Sequence, residues 1–189
     1  STKDPEELSS LLRASFLYGT LLATGIPAIS NLLALMNRSL ILSAGIPSYR
    51  AFLGGSQSWI DNIIAIALNL ITASYFYNIL MHSWKEISER ENYANIRRLY
   101  RYIWMLLGLL MLVLGIQQNI RFLLYQPASI LGAQNREMYI NGLSLILVGT
   151  PIWLYMWNLI QVTVREKLET YSSLRLGILY LLSLGGVIT

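Results

Sequence analysis

Four long stretches of this chain carry no charge: Ala14 to Asn37, Asn62 to Trp84, Tyr102 to Ile120 and Met138 to Val164. An α-helix rises about 1.5 Å per residue, so roughly 20 apolar residues cross the ~30 Å hydrocarbon core of a bilayer. Each run is near or above that length. In hydrocarbon every backbone N–H and C=O must find a partner within the protein, which a helix achieves alone and a strand only in a closed barrel. The alternating pattern of barrel strands is absent. The runs therefore predict an all-α integral membrane bundle. A further run from Leu176 to Thr189 predicts a fifth helix. At about 21 Å it falls short of a full crossing, so a longer natural chain is expected to continue beyond it.

Composition agrees. Of 189 residues, 54% are hydrophobic and 13% charged, against about 25% charged in soluble domains. The absence of cysteine excludes disulfides, thiol catalysis and iron–sulfur ligation by this chain. With a single histidine, no zinc-type ligand cluster can be assembled from Cys and His. No glycine-rich phosphate loop is present.

A net charge of +4 would suggest a nucleic-acid partner for a soluble protein. Here the arrangement of the charges gives another reason for it. Ten of the fourteen Lys and Arg residues fall on one side of the predicted bundle: before the first run, between the second and third, and after the fourth. Arg38, Arg50, Arg121 and Arg136 fall on the other. The positive-inside rule then places the N-terminus in the cytoplasm. The most basic stretch, IRRLYRYIW (96–104), lies where the third run enters the membrane. Its arginines Arg97, Arg98 and Arg101 can reach lipid phosphates, and Tyr102 and Trp104 suit headgroup depth. No nucleic-acid partner is expected.

The same stretch exposes an internal pattern. Arg97 and Tyr102 share an Arg-x4-Tyr spacing with Arg13 and Tyr18, and again with Arg175 and Tyr180. The even runs correspond at an offset of about 80: Asp61 with Asn141, Tyr75 with Tyr155, Tyr77 with Trp157, and Asn78 with Asn158. This predicts tandem two-helix repeats of one topology. Residues 1–92 form the first with a polar lead-in, 93–170 the second, and 171–189 begin a third.

These motifs, NIRRLYRYIW and SSLRLGILY together with PIWLYMWN at Pro151 to Asn158, resemble a family of uncharacterised bacterial multi-pass membrane proteins classed as a domain of unknown function. The resemblance covers most of the chain and implies fold and location. The location it implies is a bacterial cytoplasmic membrane, and it brings no activity, cofactor or catalytic residue. ASYFYN in the first even helix departs from the pattern, lacking the proline and both tryptophans.

Within the runs, Ser15, Gly19 and Ala23 recur every four residues with Pro27 in register. They predict a smooth face for helix packing, with a bend or hinge at Pro27. Asn69, Asn78 and Asn158 are polar and intramembrane. They serve either interhelical hydrogen bonds or a polar site between repeats. His82 is the one candidate cofactor ligand, set against the plain reading of a boundary histidine. No catalytic or metal-binding residue is identified. The expected function is a non-catalytic accessory or scaffold subunit of a larger membrane complex, such as a respiratory or photosynthetic electron-transfer complex. Its partners would be the lipid bilayer and other membrane subunits. It would carry no intrinsic cofactor, with pigment, quinone or lipid held at subunit interfaces. The alternative is a small-solute transporter or channel whose path is lined by the asparagines.

Overall fold

The computed structural model describes residues 11–52, 58–87, 91–125 and 134–164, and residues 177 and 180 singly. Four helices carry nearly all of them: α1 (Leu11–Ser43), α2 (Trp59–Ile87), α3 (Glu91–Tyr125) and α4 (Gln134–Val164). Each contains a stretch long and apolar enough to cross a membrane. The described residues thus hold four such helices, and not the five expected. The run at 176–189 lies outside the described residues apart from Gly177 and Tyr180, which are helical.

Local chemistry fixes the helix ends. At the end of α1, Gly45 adopts a left-handed φ of 72°. That conformation turns the Ile46 amide back onto the Ile41 carbonyl at 3.0 Å. This is the six-to-one bond of a glycine C-cap, and the following Pro47 cannot continue the helix. A short 3-10 turn, Ser48–Arg50, follows. At the start of α2 the Ser58 hydroxyl accepts from the Ile60 amide at 3.3 Å, while Asp61 accepts from the Ser58 amide at 3.0 Å. The pair acts as a reciprocal N-terminal cap. α1 runs unbroken through Pro27, and α4 through Pro151.

The helices pair as two hairpins. α3 packs most extensively on α4, and α1 on α2. The hairpins meet through α1, which also touches α3 and α4. α2 is outermost: only 6% of its spanning stretch is buried, against 22–33% for the others. α3 and α4 approach closely at two glycine pairs, Gly108 with Gly149 and Gly115 with Gly142. Alternation of the chain brings the starts of α1 and α3 to the same face as the ends of α2 and α4. This is the basic face, where Leu17, Tyr18, Leu21 and Leu80 form one buried cluster. Leu33, Leu145 and Val148 form another cluster between α1 and α4.

Candidate functional site

The arginine-rich stretch at the start of α3 resolves into two sides. Helical spacing puts Arg97, Tyr100, Arg101 and Trp104 on one stripe, because residues three and four apart are surface neighbours. Arg98 lies off that stripe and donates to the Asn95 side-chain oxygen at 2.9 Å. The stripe faces inward. Trp104 is buried, and Tyr100 stacks at a tilt on buried Tyr18 of α1, with ring centroids 5.2 Å apart.

Beside this stripe is a cavity of about 450 Å3. Arg97, Tyr100 and Arg101 line it from α3, and Tyr18 and Leu21 from α1. Tyr77 and Leu80 come from α2, and Tyr155 and Leu159 from α4. Four helices thus contribute, with four tyrosines, two arginines and no carboxylate among the described lining residues. A second recess of about 500 Å3 shares Leu21, Tyr77 and Tyr100 with it. That recess reaches deeper, to Gly25, Leu70 and Trp104. Its wall is close-fitted: a methyl group on Gly25 would come within 2.6 Å of the Trp104 ring. The Trp104 indole nitrogen is buried, and its ring lies edge-on to Tyr100 with centroids 6.3 Å apart.

The opposite face carries a polar knot. Asn37, only 1% exposed, donates to the Asn141 side-chain oxygen at 2.8 Å and to the Ser144 hydroxyl at 3.0 Å. Its own oxygen accepts from the Phe52 amide at 2.9 Å, tying the loop after α1 to α4. Arg50 and Glu137 bridge the same elements at 2.6 Å. The hydrogen bond to Glu137, followed by one to Tyr49, raises the Arg50 pKa above its ordinary value. Asn37 and Ser144 escaped the sequence reading. Asn37 ends an uncharged run and reads there as a boundary residue, and a lone serine gives no signal at all. Their pairing spans more than one hundred positions.

The residues singled out from sequence scatter over the bundle. Tyr18, Tyr102 and Trp104 are buried between helices. Arg13, Arg97, Arg98 and Arg101 are half-buried. Ser15, Gly19 and Ala23 are exposed, and no atom lies within 4 Å of a methyl placed on Gly19. Pro27 is half-buried. Asn69 donates to the Ala65 carbonyl of its own helix at 2.8 Å. Asn78 is exposed at the edge of the deeper recess, and Asn158 is exposed and lines neither cavity. His82 is exposed and also lines neither. Tyr180 is exposed, and Arg175 lies outside the described residues. Among the described residues no three His, Cys, Asp or Glu side chains cluster as metal ligands.

The fold defines an all-helical protein with four candidate membrane spans, and hence a lipid bilayer as its surroundings. Residues 98–189 match a family described as "Domain of unknown function (DUF5671)". The match begins on the basic face, at the start of α3, and takes in all of α4. No curated protein and no solved structure matches the chain.

Proposed function

We propose that this chain is a non-catalytic accessory subunit that packs against further membrane helices. The observation that carries this reading is the open small-residue face of α1. Lipid gains nothing from a smooth stripe, whereas a second helix gains close backbone approach and van der Waals contact. Ser15, Gly19 and Ala23 form such a stripe, and none of the four described helices covers it. The outermost position of α2 and the exposure of Asn78 and Asn158 add to the argument. An amide facing hydrocarbon is costly unless another helix satisfies it. The polar-path alternative has less support, because Asn69 is occupied within its own helix and Asn158 opens onto neither cavity.

The subunit is built of tandem hairpins, with α1–α2 and α3–α4 as equivalent units. Matching burial at an offset of 80 supports this. Tyr75 and Tyr155 are 63% and 65% exposed, and Leu80 and Ile160 are 5% and 7% exposed. The basic face is cytoplasmic by the excess of Lys and Arg there. Mild purification from the native membrane tests the subunit reading. Other membrane chains should co-purify, and Gly19→Leu should release them while leaving this protein folded. A protein that runs alone from its native membrane overturns the proposal.

A further inference from the structure

We infer that the deeper recess, between α1, α2 and α3, binds one neutral, flat, lipid-soluble molecule with hydrogen-bonding oxygens at its edge, of the quinone class. A polar edge, an aromatic wall and the size of the recess carry the inference. It concerns this chain alone, whether or not partner subunits are present.

The polar edge lies on α2. Thr20, Thr24, Ser30, Asn31, Asn69 and Thr72 each donate to the carbonyl four residues back on their own helix. Such back-bonding is how small polar side chains satisfy themselves within a helix. Ser74 and Asn78, one turn apart, line the recess, are exposed, and form no such bond among the described residues. A hydroxyl and an amide that face hydrocarbon without a partner are costly. Asn158, the counterpart of Asn78, has neither cavity beside it. Asn78 does, so a ligand can meet its donors where Asn158 would need another helix.

The aromatic wall lies on α3. The rings of Tyr100 and Trp104 meet edge-on, with centroids 6.3 Å apart and planes at 76°. Tyr18 of α1 braces Tyr100 at 5.2 Å. The bare Cα of Gly25 lets the indole lie against α1, since a methyl there would come within 2.6 Å of it. This corner is set before a ligand arrives, which lowers the ordering cost of binding. A flat ring can stack on one aromatic face and meet the edge of the other. No charged side chain is among the lining residues of this recess, so an ionised ligand would find no counter-charge there.

Size separates the remaining occupants. The volume of about 500 Å3 is inside the roughly 300–1,000 Å3 range of small-molecule sites. Along α2 the recess runs from Leu70 to Asn78, about 12 Å. A partner helix crossing the membrane needs a groove of about 30 Å. An acyl chain would leave Ser74 and Asn78 unsatisfied. A ring with carbonyl oxygens accepts from both and fills the aromatic corner.

Menadione, a naphthoquinone that quenches tryptophan fluorescence, tests the site on the full chain in detergent. Saturable quenching is expected, with Trp104 as the reporter at the site. The double variant Ser74→Ala/Asn78→Leu should bind menadione about tenfold or more weakly, the loss expected from two hydrogen bonds. Ser74→Phe, which fills the recess from an exposed position, should abolish the saturable component. Asn158→Leu removes a comparable amide away from both cavities and should bind as the wild type does. Circular dichroism confirms the fold of each variant. Quenching that rises without saturation, as partition into the micelle gives, overturns the proposal. So does undiminished affinity in the double variant or in Ser74→Phe, or an equal loss in Asn158→Leu. Displacement of menadione by phosphatidylcholine at equal concentration would show a groove for acyl chains, and the quinone assignment would be wrong.

Discussion

A methyl group on Gly115 would lie 2.7 Å from the Gly142 carbonyl oxygen, and one on Gly142 would lie 2.7 Å from the Gly115 carbonyl oxygen. The two backbones of α3 and α4 are therefore in direct contact. Seven residues away on each helix, Gly108 and Gly149 stand in the same relation, with clearances of 3.0 and 2.9 Å to each other's carbonyl oxygen. A separation of seven keeps both pairs on one seam of two antiparallel helices. Close approach of this kind replaces the hydrophobic drive that helix association lacks in lipid.

Enlarging the seam should separate the hairpin. Gly115→Leu is expected to lower stability by about 1–3 kcal/mol, the usual cost of overpacking. Gly19→Ala, at a position with no neighbour within 4 Å, should instead raise helix stability by up to about 1 kcal/mol. Denaturant unfolding in detergent would show the opposite signs. Equal effects would mean that the α3–α4 seam is not the tight contact described.

Gly25 and Trp104 should behave as a coupled pair. Gly25→Ala places its methyl against the indole ring and is expected to destabilise the bundle. In a Trp104→Leu background the same change should cost much less, with an interaction energy of about 0.5–3 kcal/mol. A double-mutant cycle measures this, and strict additivity would argue against the contact.

The polar knot makes Asn37 costly to replace. Asn37→Leu leaves the Phe52 amide without its acceptor and removes both donations to α4. A loss of about 1–3 kcal/mol is expected for a buried group left unpaired. Hydrogen exchange at the Phe52 amide should accelerate in the variant, and unchanged protection would count against this role.

Arg50 and Glu137 are exposed enough for salt to matter. Because the hydrogen bond to Glu137 raises the Arg50 pKa, its contribution is fully present below the ordinary arginine range and is lost only as pH climbs through the raised value. The destabilisation caused by Arg50→Gln should therefore be the same at about pH 7 and pH 9 as far as the arginine is concerned. It should shrink as salt screens the pair. Thermal midpoints of the wild type and Arg50→Gln, taken at both pH values and at low and high salt, check both statements.

Uncharged runs were enough to announce the four long apolar helices, though they also led to the expectation of a fifth that the described residues do not hold. A run such as Met138 to Val164 has one stable solution in hydrocarbon, since only a helix satisfies its own backbone. The caps at Gly45 and Ser58 are likewise local chemistry. Which side of each helix meets which neighbour is not local. The spacing of Ser15, Gly19 and Ala23 predicts a packing face, while among the described residues Gly108, Gly115, Gly142 and Gly149 make close contact between helices. Both sets have small residues at regular intervals, and in lipid nothing in the sequence alone says which set a partner covers. Asn37 and Ser144, or Arg97 and Tyr155, come together only when the hairpins meet through α1. Hydropathy is a property of single segments, and it fixed the spans. Sites made by several helices depend on rotation and register between segments, and tertiary packing alone decided those.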